Sequence, residues 1–174
     1  MKTIRDAKGE AITFRDCASP ALQGERMVHN RFGVLNIFPE RAVYVKGGLI
    51  GFPQEREYCL TDYPGRDEFK LLQSITDDDL CFIVLPAAPE GGYYYPEHAE
   101  ELCALVDAAP DAAVFLFVVS VAQKAGKRVV TFNGKAPVVV NVDKKYAVQR
   151  ALSYRCYNVR QEVKAEKKAY IKEA

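Results

Sequence analysis

The chain has 174 residues, 49% of them hydrophobic and 27% charged, and a net charge of +1 at neutral pH. That length suits one domain with one self-sufficient core, and no segment approaches the roughly 18 consecutive apolar residues of a membrane-spanning helix. Residues Met1 to Glu10 mix Lys2, Arg5, Asp6, Lys8 and Glu10 with no apolar stretch behind them, which argues against a secretory signal and predicts a cytoplasmic, water-soluble protein.

Residues 1–28 show neither a helical nor a strand period and carry Gly9, Pro20 and Gly24 among scattered charges, so they read as a loosely ordered extension. Short apolar runs separated by turn residues follow: Val34 to Phe38, Ala42 to Val45, Arg56 to Leu60, Phe69 to Gln73 and Leu80 to Leu85. Strands of that length and spacing predict an all-β sandwich or barrel. A helix is predicted over 96–107. Pro96 suits the first helical position, Glu97, Glu100 and Glu101 favour the positive end of the dipole, and Ala99, Leu102, Cys103 and Val106 form one apolar stripe. The run Val114 to Val121 reads as a strand buried on both faces, and Val129 to Phe132, Val138 to Val142 and Ala147 to Tyr154 complete a set of about nine strands. By local rules Asn133-Gly134 is a two-residue hairpin turn. Beyond Arg160 the chain alternates Lys and Glu, the composition of an exposed helix or a disordered end.

The net charge conceals an asymmetry. Residues 1–54 stand at +3, residues 55–111 carry 14 acids against three bases for −11, and residues 112–174 stand at +9. A field of one sign steers partners of the other, so the middle segment is a candidate surface for a basic protein. It does not suit nucleic acid, which needs clustered Lys and Arg.

Residues that carry chemistry do not assemble into a recognisable set. The five cysteines, Cys17, Cys59, Cys81, Cys103 and Cys156, are far apart and never form C-x-x-C, so they read as reduced thiols and Cys81 as a small buried side chain. His29 and His98 are the only histidines, without metal-ligand spacing, and His98 reads as a surface imidazole. A hydrolase would have to bring one of them to a cysteine in space. Gly47-Gly48 and Gly91-Gly92 fit neither a P-loop nor a dinucleotide fingerprint and read as turns. Asp77-Asp78-Asp79 lacks the alternating ligands and terminal Glu of a calcium loop and reads as a solvated turn. The expectation is a protein with no catalytic set, metal or cofactor.

From Arg31 onward, motifs occur in a particular order: Phe32-Gly33, then Gly47-Gly48-Leu49-Ile50-Gly51-Phe52, then Leu72-Gln73-Ser74 with Asp77 to Asp79, Leu80 and Phe82. Ala136-Pro137-Val138-Val139-Val140-Asn141 and Val148-Gln149-Arg150-Ala151-Leu152 come after, with Tyr154 beyond. This order and spacing, over roughly residues 28–158, resembles the FliW family. The chain departs from the family where Asn133-Gly134-Lys135 stands in place of an Asn-Leu, and we expect a bulged, kinked strand there rather than a hairpin. The resemblance implies a non-enzymatic, compact β-barrel domain over 29–158; the extension 1–28 and the charged tail 159–174, read from composition, have no counterpart in the family. It also implies two partners, flagellin and the RNA-binding translational regulator CsrA. The alternative is a β-barrel module for a small ligand held inside the barrel. For the glycines and for Phe52 and Phe82 the structural reading, turn and core, is preferred. The residues expected to touch a partner are Glu68, Gln73, Asp77, Asp78 and Asp79.

Overall fold

The computed structural model describes residues 2–5, 11–14 and 24–163; the expected charged tail from 164 onward and most of the expected extension lie outside them. Strands β1 (Lys2–Arg5) and β2 (Ala11–Phe14) pair, among the described residues, only with each other. Strands β3 (Arg26–Asn30) and β4 (Gly33–Ile37) form a second antiparallel hairpin, and β3 straddles the boundary expected at residue 28. The main sheet contains β5 (Val43–Val45), β6 (Glu57–Asp62), β7 (Lys70–Ser74), β8 (Cys81–Ala87), β9 (Ala113–Lys124), β10 (Lys127–Phe132), β11 (Val138–Asn141), β12 (Tyr146–Gln149) and β13 (Gln161–Glu162). Helix α1 (Pro96–Ala104) lies between β8 and β9.

The fold is predominantly β, as the apolar runs predict, and its sheet closes. Strands β5, β6, β7, β8 and β9 pair antiparallel in sequence order, β9 also pairs with β11, β11 with β12, and β12 returns to β5. The last contact is parallel: Tyr44 N–H donates to Lys145 O (2.9 Å) and Lys46 N–H to Ala147 O (2.8 Å). The result is a seven-stranded barrel. Alternation along the strands then decides what each residue meets. Val43, Val45, Tyr58, Leu72, Val84, Val114, Leu116, Val138, Val140 and Ala147 pack together inside, and these side chains occupy the space where a small ligand would sit.

The outward-facing residues of the same strands are buried too, beneath two covers. Leu85, Phe115, Phe117 and Val139 lie under α1, which contributes Ala99, Leu102 and Cys103. Cys59, Leu71 and Cys81 lie under the β3–β4 hairpin, which contributes Val28, Leu35 and Ile37. Both faces of β7 and of the first half of β9 are therefore dry, which accounts for the unbroken apolar run at the start of β9, while β7 also buries Lys70, Gln73 and Ser74. Helix α1 stops short of residue 107 because Asp107 takes a left-handed conformation (φ 50°). The carbonyls left open there accept from buried Asn141 Nδ2, Val106 O at 3.1 Å and Asp107 O at 3.0 Å.

The Asn133-Gly134 pair is not a hairpin turn. Strands β10 and β11 never pair with each other; both run along β9, with Phe132 opposite Val119 and Val138 opposite Leu116. Residues 133–137 thus face only Phe117 and Val118, a kinked bulge in one long strand. Asn133 Oδ1 holds the bulge by accepting from the N–H groups of Lys135 and Ala136 (3.1 Å each).

Burial pushes the Cys59 thiol up to about 12 and those of Cys81 and Cys103 to about 11. A free thiol ionises near 8.5, so between about pH 8.5 and 11 the folded chain holds more protons than the unfolded one and stability falls as pH rises. Urea unfolding midpoints should decline as pH rises above about 8, and Cys59→Ala should remove part of the decline.

Candidate partner-binding surface

The loop joining β5 to β6 is shaped by glycine. Gly47, Gly48 and Gly51 have φ of +77°, +71° and +91°. At Gly48 a side chain is also sterically impossible, since a Cβ would lie 2.4 Å from Phe52 O. The loop folds on itself through Gly48 N–H to Val45 O (3.0 Å) and Phe52 N–H to Leu49 O (2.8 Å). Ile50 N–H donates to Gln149 Oε1 (2.7 Å), and Gln149 Nε2 donates to Ala136 O (3.1 Å), which ties the loop to the chain just before β11. This geometry turns Leu49 into the barrel core and Ile50 and Phe52 outward, 60% and 40% exposed. The core placement expected for Phe52 is thus corrected: its ring meets Phe82 edge-on at 5.3 Å, and Phe82, half-buried, leans on Tyr58.

The turn from β7 to β8 is held from inside. Gln73, fully buried, points Nε2 at the carbonyls of Ser74 (3.0 Å), Asp77 (3.0 Å) and Asp78 (3.3 Å), while its Oε1 accepts from Asn30 Nδ2 (2.6 Å). Ser74 Oγ accepts from the N–H groups of Thr76 and Asp77 and donates to Glu55 Oε2 (2.9 Å), which Thr76 Oγ1 also reaches. Glu55 belongs to the glycine-rich loop, so loop and turn form one rigid end of the barrel. Arg26 of β3 clamps the outside, donating to Ile75 O (3.0 Å) and Asp78 Oδ1 (2.5 Å).

The five residues expected at a contact fall into four environments. Asp77 and Asp79 are exposed and adjacent, with Asp79 N–H donating to Asp77 Oδ1 (3.0 Å). Asp78 is in the same turn, but Arg26 offsets its charge. Gln73 shares the turn without reaching its surface, so it acts by holding the backbone that presents the acids. Glu68 is elsewhere: it precedes β7 while the acids follow it, about 15 Å away at about 3.3 Å per residue, and it pairs with Arg66 at 3.4 Å. The acidic middle segment is likewise dispersed, with Glu97, Glu100 and Glu101 on or beside α1 and Asp107 bound to Lys144. What the fold assembles is a patch of Ile50 and Phe52 rimmed by Glu55, Asp77 and Asp79. Its field reaches inward, because burial first and then Glu55 and Asp77 raise the Tyr58 hydroxyl to about 12.

Among the groups that could have made a reactive centre, Cys59, Cys81 and Cys103 are buried and His98 is packed against tyrosines. The His98 ring stacks on Tyr154 at 3.8 Å, and its Nδ1 shares a hydrogen bond with the Tyr157 hydroxyl (2.6 Å). His29 is exposed on β3. Among the described residues no hydrogen bond joins a cysteine to either histidine, no three His, Cys, Asp or Glu side chains are grouped to hold a metal ion, and no helix is long and apolar enough to cross a membrane.

The model of the FliW protein family matches residues 26–163, which include the barrel, both covers and the patch. The chain belongs to the FliW family. It is 32% identical over 138 residues to the flagellar assembly factor FliW of Geotalea uraniireducens (strain Rf4), covering 78% of this chain and 82% of that one. With the flagellar assembly factor FliW of Syntrophus aciditrophicus (strain SB) it shares 25% identity over 134 residues, 76% of this chain and 84% of the relative. A crystal structure of the flagellar assembly factor FliW superposes with a TM-score of 0.59 at 21% identity, covering 80% of this chain and 96% of that one, which establishes the shared fold.

Within this FliW fold the motif residues are mostly scaffold. Gln73 illustrates it: Gln73→Leu takes the side-chain donor from the carbonyls of Ser74, Asp77 and Asp78 and the acceptor from Asn30 Nδ2, and we expect a loss of about 2–3 kcal/mol in unfolding free energy. Urea denaturation should show this loss together with faster amide exchange at Asp79 and Leu80, where the turn loosens.

Proposed function

We propose that this chain is a non-enzymatic flagellar assembly factor that binds flagellin and antagonises the translational regulator CsrA by partner switching in the cytoplasm. Membership of the FliW family supports the first part. The observation that supports a protein contact is the rigid patch at the β5–β6 and β7–β8 end of the barrel, where exposed Ile50 and Phe52 are flanked by Asp77 and Asp79. An apolar centre with a charged rim is the usual anatomy of a protein interface, and the acidic rim suits a basic, RNA-binding partner such as CsrA. Asp77 and Asp79 carry the steering, Phe52 supplies an aromatic anchor of the kind that dominates interface energetics, and Gln73 and Glu55 hold both in place.

Switching has a thermodynamic signature. If flagellin weakens CsrA binding by some factor, CsrA weakens flagellin binding by the same factor. Isothermal titration with each partner alone and then with the other present should give equal factors; simultaneous, independent binding of both would refute the switch.

The acidic rim is tested separately. Asp77→Lys with Asp79→Lys, leaving the Arg26–Asp78 pair intact, should slow CsrA association about tenfold at low salt and flatten its salt dependence with little change in dissociation. Stopped-flow association rates unchanged by the substitutions would remove the rim from the contact.

A further inference from the structure

Strands β8 and β9 are paired over only part of their length. Their ladder runs from Ala87 opposite Phe115 to Val84 opposite Val118, yet β8 begins at Cys81 and β9 continues to Lys124. Past that point β8 stays with β7 and β9 continues with β10. A cleft of about 410 Å³ lies where they part, lined among others by Arg31, Phe32, Tyr63, Ser120, Val121 and Arg128. That volume falls within the roughly 300–1,000 Å³ of ordinary binding clefts.

Main-chain parity shows what the cleft presents. Asn133 N–H donates to Val118 O (2.8 Å), so Val118 turns its polar groups towards β10. Alternate residues of an antiparallel strand turn theirs to opposite edges, so those of Val121 and Gln123 face the side that β8 has left, where no strand pairs with them among the described residues. On the other wall Ser74 N–H donates to Leu80 O (2.9 Å), turning Leu80 towards β7 and Cys81 towards the cleft. There Arg31 Nη2 donates to Cys81 O (2.9 Å).

The side chains add sign and shape. Arg31 lies 4.8 Å over the Phe32 ring, and Phe32 meets Tyr63 edge-on at 5.7 Å. Arg128 is exposed on β10, Lys124 and Lys127 stand at the tip of the β9–β10 ribbon, and among the described residues no acidic one lines the cleft. Basic residues on a strand edge discourage pairing with another copy of the same basic edge, and the same charges favour an incoming strand that is acidic.

We propose that this cleft is a strand-addition site for an extended acidic segment of a partner protein. The segment's main chain pairs with the edge of β9 at Val121 and Gln123, and its carboxylates meet Arg31 and Arg128. Strand addition draws affinity from main-chain bonds and specificity from the flanking side chains. The site adjoins the acidic patch through Phe82, which lines the cleft and meets Phe52, but it does not depend on the identity of the partner assigned to that patch.

The test uses the full chain and three dye-labelled pentapeptides: one alternating valine with glutamate, its lysine counterpart, and the glutamate peptide N-methylated at alternate amides. Fluorescence anisotropy at low ionic strength should show saturable binding of the glutamate peptide, with the other two at least about tenfold weaker. Arg128→Glu should weaken binding by a similar factor with its melting temperature unchanged, and the peptide should slow amide exchange at Val121 and Gln123. No binding, equal binding of the lysine or N-methylated peptide, or unchanged exchange at those amides would overturn the proposal. So would sedimentation showing dimers that Arg128→Glu dissolves, which would assign the edge to a second copy of the chain.

Discussion

The arrangement of the molecule depends on the length of β9. Twelve residues are about twice a typical strand, and a barrel of this size uses only the first half. In that half Val114 and Leu116 point into the barrel, Phe115 and Phe117 point out under α1, and both edges are paired. The second half leaves the barrel wall with β10 as its companion. Bulge 133–137 makes both halves possible, because β10 and β11 run along β9 in the same direction on either side of the kink and the extra residues absorb the change of register and twist.

That bulge is costly to bury, so the fold surrounds it with partners. Tyr94 donates its hydroxyl to Gly134 O at 2.7 Å, Gly134 N–H donates to Asn158 O at 3.0 Å, and Leu152 N–H to Lys135 O at 2.8 Å. A side chain at position 134 would press within 3.3–3.4 Å of the Phe132 ring and Asn158 O, which gives the glycine there a packing reason. The run after β12 therefore leaves the ladder at Gln149 to cross the bulge, and only the first part of the apolar stretch to Tyr154 is a strand. Tyr93, Tyr94, Phe115, Phe117, Phe132 and Tyr157 then pack ring against ring across this region, joining α1, the bulge and the returning chain in one aromatic layer.

Periodicity made most of this legible, because a wall residue that is buried must be apolar whichever face it lines. Strand β3 escaped notice since only Val28 of Arg26-Met27-Val28-His29-Asn30 is buried, too little to create a period, and β13 is two residues long. The surface was less readable for a different reason. Exposure of Phe52 is decided by backbone angles at Gly47, Gly48 and Gly51, and hydrophobicity carries no trace of those angles. Gln73 looked like a contact because it precedes an acidic turn, while its acceptors are the carbonyls of that turn. Glu68 seemed near Asp77 in sequence, and a strand separates them.

The β3–β4 hairpin gives the two charged surfaces a common support. From its first strand Arg26 grips Asp78 and Ile75 O, and Asn30 holds Gln73; from the turn that follows, Arg31 holds Cys81 O. The first three bonds set the acidic turn, and the last belongs to the wall of the basic cleft. A net charge of +1 therefore describes neither surface: opposite fields adjoin where β8 begins, each effective over about 10 Å at ordinary salt. Coupling between distant contacts needs a shared element that both can bias. Here one hairpin, seated on the barrel through Val28, Leu35 and Ile37, touches both, and any displacement of it is felt by the acids and by the cleft together.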